Sequence, residues 1–126
     1  MRRELTLYWA DRSADAHGVD QRLVRAVIWV ESRGTPQKVM DTNGRYSRGV
    51  MQIQEPAAFD VGFRGDPERL MGVDGVWFGV AYLARQIARA DGDVWQGVGL
   101  YNAGSFHRIS PRHVERVREA YRQGLI

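Results

Sequence analysis

Apolar residues recur at helical spacing along most of this chain, and most of these runs are closed by a glycine. The clearest is Val76, Val80, Leu83 and Ile87, at i, i+4, i+7 and i+11 between Asp74 and about Ala90, broken by Asp91-Gly92-Asp93. Leu5, Tyr8, Trp9 and Ala16 mark an earlier helix from Arg3 to about His17, which Gly18 ends. Asp20 then caps a segment whose Leu23, Val27 and Val30 share one face, stopping near Ser32-Arg33 before Gly34 and Thr35-Pro36. Val94 to Asn102 forms a shorter helix closed by Gly104. Ser110 and Pro111 open a last one carrying Val114, Val117 and Tyr121 and ending at Gly124. Between these lie a polar stretch from Gln37 to Ser47, with a tight turn at Asp41-Thr42-Asn43-Gly44, and a short strand or extended piece at Gly49–Ile53. A short helix opens at Pro56 and runs through Phe59, and an irregular stretch follows around Gly62, Gly65 and Pro67. The sum is about six helices with long polar loops: a mainly α fold with at most a minimal β element.

A chain of 126 residues, 44% of them hydrophobic, can bury one modest core, so residues 1–126 are expected to form a single domain. With no cysteine, disulfide scaffolds, thiolate metal sites and cysteine nucleophiles are excluded. The histidines are scattered and make no ligand set, so neither metal nor cofactor is expected. No stretch approaches the ~18 apolar residues of a membrane span. Glu4 and Asp11 interrupt what would be the apolar part of an export signal, so no leader or anchor is expected. The net charge of +3 comes from cations that are all arginine except Lys38, and suits an anionic partner without choosing among them.

One residue does not fit its surroundings. Glu31 closes the apolar run Ala26-Val27-Ile28-Trp29-Val30, four residues after Val27 and eight after Leu23, on the side of its helix that should face the core. Desolvation there raises a carboxyl's pKa, and the C-terminal end of a helix dipole pushes the same way. A carboxyl kept protonated beside a groove is the general acid that glycosidic-bond cleavage needs. The plain alternative is a solvated glutamate paired with Arg33 or Arg48. Two further pieces stand out. Met51 and Gln52 lie in a glycine-opened segment, and Tyr101 and Asn102 lie at a helix end. Amides and aromatic faces bind neutral sugars, although Met51 and Tyr101 could equally be core, with Asn102 and Gly104 a helix cap.

In order and spacing, Ala26-Val27-Ile28-Trp29-Val30-Glu31-Ser32, Gly49-Val50-Met51-Gln52-Ile53, Gly79-Val80-Ala81-Tyr82-Leu83 and Leu100-Tyr101-Asn102-Ala103-Gly104 resemble the soluble lytic transglycosylase family, relatives of goose-type lysozyme. The likeness extends to His17–Leu23 and to Pro111–Val117, covering nearly the whole chain. It implies a lysozyme-like helical fold and a substrate of peptidoglycan glycan strands, cleaved outside the cytoplasm. Glu31 would be the single acid and base, leaving 1,6-anhydro ends. Ser47, Met51, Gln52, Tyr82, Tyr101 and Asn102 would hold the glycan or orient Glu31, with Ser47 the nearest loop serine able to support it. The longer loop from Asp41 to Arg48 is more like the small transglycosylases of secretion, conjugation and phage systems, and a monomer is expected. The chain departs from the pattern at Gly75, where the family has asparagine, and at His113, where it has tyrosine; a lone histidine there reads as a surface residue.

Three other readings remain. A hydrolytic muramidase of the same fold needs a second carboxylate about 6.5–9.5 Å from the acid, and Asp41 and Asp60 are the candidates. A nucleic-acid-binding helical module would use Arg108, Arg112, Arg116, Arg118 and Arg122 with Arg85 and Arg89, but Glu115 and Glu119 interleave and make a solvated, paired face the simpler account. A wall-binding protein without catalysis would not need Glu31.

Overall fold

Helix α1 (Arg3–His17) ends where Gly18 turns to a left-handed φ of +70°. Asp20 accepts the backbone N–H of Arg22 at 2.8 Å and opens α2 (Gln21–Ser32). Termination of α2 comes one residue before the glycine: Arg33 itself takes the left-handed conformation and stacks its guanidinium 4.6 Å from the Trp29 ring. In this computed structural model, which describes residues 1–126, the remaining helices are α3 (Glu55–Asp60), α4 (Val73–Arg89), α5 (Val94–Ala103) and α6 (Pro111–Gln123), with 3-10 turns at Pro67–Met71 and Phe106–Arg108. Asp93 caps α5 and Ser110 caps α6, each through a backbone N–H three residues on. No helix is long and apolar enough to cross a membrane.

The polar stretch expected as loop is in fact an antiparallel hairpin. β1 (Gln37–Met40) pairs with β2 (Tyr46–Gly49), and a two-residue β3 (Ile53–Gln54) pairs with the other edge of β2. The anticipated turn joins the first two strands: Gly44 N–H donates to the Asp41 carbonyl at 3.0 Å, with Gly44 at φ +80°. Register sets Lys38 directly opposite Arg48, a repulsive pair unless something neutralises it. Glu68, from the 3-10 turn, does so: one carboxylate oxygen accepts Lys38 Nζ at 2.6 Å and Arg48 Nε at 3.3 Å. The extended piece also lies later than expected, because Gly49–Gln52 is a tight turn with Gln52 at φ +51° and the strand begins only at Ile53. A mainly α, lysozyme-like domain with a small sheet is the result.

The core forms around α2. Leu23, Val24, Val27 and Ile28 are buried against Ala10 and Ala14 of α1, Val76, Val80 and Leu83 of α4, and Val117 and Ala120 of α6. A smaller cluster, Ile53, Ala58, Phe63 and Leu70, lies under the sheet. Outside, Arg118 and Arg122 pair with Glu115 and Glu119, a solvated ion-paired face on α6.

The sheet is docked on α4 through one carbonyl. An added Cβ would lie 1.9 Å from Leu70 O at Gly75 and 2.3 Å from the same atom at Gly49. The glycine where the family has asparagine is therefore a packing requirement here. Gly75→Ala should cost at least about 2 kcal/mol despite alanine's better helix propensity. Gly18→Ala, where only the left-handed backbone is strained, should cost about 1 kcal/mol. Urea unfolding of the two variants checks the order.

Candidate active site

Because α2 is enclosed, its last turn delivers Glu31 to the floor of a cleft of about 600 Å³ between the hairpin turn, α4, and the C-terminal end of α5. The Glu31 side chain is 16% exposed. Neither arginine offered as its partner reaches it: Arg33 is on Trp29 and Arg48 is on Glu68. Burial pushes the Glu31 carboxyl up to about 7; the positive charge of Arg116 opposes this and the negative charge of Asp41 reinforces it. Ser32, next in sequence, fixes the end of α2, donating to the Val50 carbonyl at 2.8 Å and accepting Gly34 N–H at 3.1 Å.

Glu31, Ser47, Gln52, Tyr82, Tyr101 and Asn102 all line this cleft. The Tyr101 hydroxyl donates to the Met51 carbonyl at 2.7 Å, tying α5 to the turn after β2. Burial, with Glu31 and Tyr82 nearby, raises the Tyr101 phenol well above its ordinary value, so it stays a neutral donor. The Tyr82 ring packs 5.6 Å from that of Tyr101. Gln52 spends its amide N–H groups on the Gln37 and Gly49 carbonyls at 2.9 and 3.0 Å, leaving only its carbonyl oxygen toward the cleft. Asn102 is exposed at the rim. Ser47 does not support Glu31; its hydroxyl donates to Asp41, which also accepts Gln54 Nε2 at 2.7 Å.

Two expectations need correcting. The Met51 side chain is 0% exposed and packs on α4, where a Cβ at Gly79 would come within 2.9 Å of it. It is core, and only its backbone carbonyl serves the site. His113 is not a surface residue: its side chain is 9% exposed, and Nε2 lies 3.6 Å from Glu31 Oε2. Burial and the neighbouring Arg116 hold its pKa below the ordinary histidine value, so the ring beside Glu31 is neutral at neutral pH. Sequence reasoning missed His113, although the spacing His113, Val117, Ala120 puts it on the buried face of α6. It also missed Gln54, and gave Asp41 only the role of a candidate hydrolytic carboxylate. No group of three histidine, aspartate or glutamate side chains is gathered as a metal site would require.

A carboxyl raised by desolvation stabilises the fold least where it must ionise. Below about pH 4.5 Glu31 is protonated in both folded and unfolded chains. Above about 7 it is charged in both, and the folded state carries the full burial penalty. Glu31→Gln should therefore gain stability relative to the parent as pH rises through this window, by up to about 3 kcal/mol. Denaturant midpoints at pH 4 and pH 8 measure it, and a pH-independent difference would contradict the burial.

The description "Transglycosylase SLT domain" belongs to a family whose profile matches residues 9–122. Membrane-bound lytic murein transglycosylase F 1 of Alkalilimnicola ehrlichii is 29% identical over 119 residues, 88% of this chain and 22% of that protein. Peptidoglycan transglycosylase gp16 of Escherichia phage T7 is 31% identical over 117 residues, 90% of this chain and 8% of that protein. Membrane-bound lytic murein transglycosylase F of Photobacterium profundum is 31% identical over 103 residues, 75% of this chain and 18% of that protein. This chain thus spans less than a quarter of the length of these relatives. No solved structure gives a significant match. With the family profile covering nearly the whole chain, and the cleft formed by the segments that carry the likeness, the chain belongs to the transglycosylase SLT domain family.

Proposed function

We propose that this chain cleaves the bond between N-acetylmuramic acid and N-acetylglucosamine in peptidoglycan, non-hydrolytically, with Glu31 as its one acid and base. The observation that carries the reading is the Glu31 carboxyl itself, 16% exposed at the cleft floor and pushed up to about 7. Protonated, it gives its proton to the glycosidic oxygen as the C1–O bond breaks. The resulting carboxylate then takes the proton of the muramic acid C6 hydroxyl as that oxygen bonds to C1. A 1,6-anhydro ring forms and no water is consumed. One group can serve twice because the first step reverses its charge. The neutral His113 ring, with Nε2 3.6 Å from Glu31 Oε2, suits both forms because it adds no charge that would favour one of them. Gln52 Oε1, the Asn102 amide and the Tyr82 face would grip the sugars, a role supported by their lining the cleft. The names of the relatives, two murein transglycosylases and a phage peptidoglycan transglycosylase, support the same chemistry. They also fit action on the bacterial wall, and one of them comes from a phage.

Asp41 favours a second outcome, hydrolysis, because it lines the same cleft as Glu31. Mass spectra of digested sacculi separate the two, since hydrolysis gives reducing ends one water heavier than anhydro ends. Anhydro products from the parent chain and none from Glu31→Gln are expected; reducing ends would overturn the transglycosylase reading.

The pH profile carries a signed expectation. The alkaline limb of kcat/KM reports loss of the proton from Glu31 in the free enzyme. It should fall near about 7 in the parent, move down in Asp41→Asn, which removes a charge that raises Glu31, and move up in Arg116→Gln, which removes one that lowers it. Initial rates on purified sacculi from pH 5 to 9 measure the limbs. Limbs that stay fixed in both variants would place the titrating acid elsewhere.

A further inference from the structure

A second hollow, of about 590 Å³, opens beside the catalytic cleft and shares Tyr82 and Gly104 with it. Its walls come mainly from α4, through Arg85, Gln86 and Arg89, with Asp60 at the end of α3. Three charged side chains face this hollow, and none makes an ion pair within the chain.

The two guanidinium groups are nevertheless held in place. Arg85 Nη1 donates to the backbone carbonyl of Asp60. Arg89 Nη1 donates to Gln86 Oε1 at 3.1 Å and to the Gly104 carbonyl at 2.9 Å, with its guanidinium 5.4 Å from the Phe106 ring. Gln86 is itself 3% exposed, a polar side chain buried in the wall and turned to this arginine. A guanidinium carries five N–H donors, so both arginines keep donors for an anion, already oriented. On the catalytic side of Gly104, Arg108 adds another cation without a carboxylate partner.

The branching of peptidoglycan gives this layout a use. A linear glycan fills one groove. Each muramic acid also bears a peptide stem that leaves the strand sideways, carrying carboxylates and, at its diamino acid, an amine. We infer that the hollow beyond Tyr82 is a peptide-stem site, in which Arg85 and Arg89 take stem carboxylates and Asp60 takes the amine. This rests on the peptidoglycan reading above. It adds that the cleft forks at Tyr82 and that the enzyme distinguishes stem-bearing from bare glycan. The competing account is structural: both arginines do no more than cap the ends of α3 and α5.

Two measurements test it. The first compares the parent with Arg85→Gln and Arg89→Gln on stem-bearing glycan strands and on strands stripped of stems by an amidase. KM for stem-bearing strands should rise about tenfold in each variant, as expected for loss of one charge-assisted contact. Rates on stripped strands should stay unchanged. Equal losses on both substrates, or no loss on either, would overturn the stem site. The second needs no turnover: isotope-labelled Glu31→Gln protein is titrated with a free stem tetrapeptide containing a diamino acid. Amide shifts are expected at Tyr82, Arg89 and Gly104, and they should vanish when Arg85→Gln is added. An absence of shifts in the single variant would overturn the site even if glycan cleavage is confirmed. Shifts without any cleavage by the parent would keep the site and defeat the activity.

Discussion

Helix α2 is enclosed on nearly every side, and this enclosure decides where the chemistry can occur. Leu23, Val24, Ala26, Val27 and Ile28 are buried by α1, α4 and α6, so the helix has no freedom to slide or rotate without exposing them. Its last turn is then anchored by Ser32 to the Val50 carbonyl, and the next turn of chain is anchored by Tyr101 to the Met51 carbonyl. These two hydrogen bonds hold three elements at fixed separation: the end of α2, the turn after β2, and the end of α5. The cleft is the gap they leave, and Glu31 is at its floor because nothing in the core could take a carboxyl.

That placement is costly to the fold and, on the proposed reading, useful to the reaction for one reason. Desolvation penalises the charged form of Glu31, which keeps a proton on it near neutral pH. The surrounding charges tune this without cancelling it. Arg116 from α6 lowers the pKa and Asp41 from the hairpin turn raises it, so helix and sheet bias the same carboxyl in opposite directions. The neutral groups closest to it, Tyr101 and His113, are uncharged because the same burial acts on them. An acid kept among neutral donors and acceptors can lose and regain its proton without forming a strong ion pair that would hold it in one state.

The helices were legible because their signals are local: an oxygen-bearing cap at Asp20 and Ser110, an apolar stripe, and a left-handed residue at the end. The hairpin was not, because every residue of β1 is exposed and no alternation of apolar and polar residues betrays a strand. What holds it is non-local: the ladder to β2 and the carboxylate of Glu68, remote in sequence, between Lys38 and Arg48. Glu31 could be read from the sequence because a carboxyl at the end of a core stripe is anomalous on its face. Met51 and His113 could not be read in the same way. An apolar residue in a motif fits core or cleft equally, and Gly79, far along the chain, made room for it in the core. A lone histidine becomes a neighbour of Glu31 only once α6 is docked against α2.

The distribution of charge links composition to function more closely than the net +3 does. On the outer face of α6, arginines and glutamates neutralise one another, and Glu68 does the same for the cations of the hairpin. Arg85, Arg89 and Arg108 are among the arginines without a carboxylate partner, and these three border the cleft or the hollow next to it. On the proposed reading, cations at that position favour the approach of an anionic polymer to the site. The same reading divides recognition between two kinds of surface. On it, neutral sugar meets the amides and rings around Glu31, and charged groups meet the arginines farther along α4. The boundary between them is Tyr82, whose ring lies against Tyr101 on one side and whose environment is set by Asp60, Arg89 and Arg85 on the other.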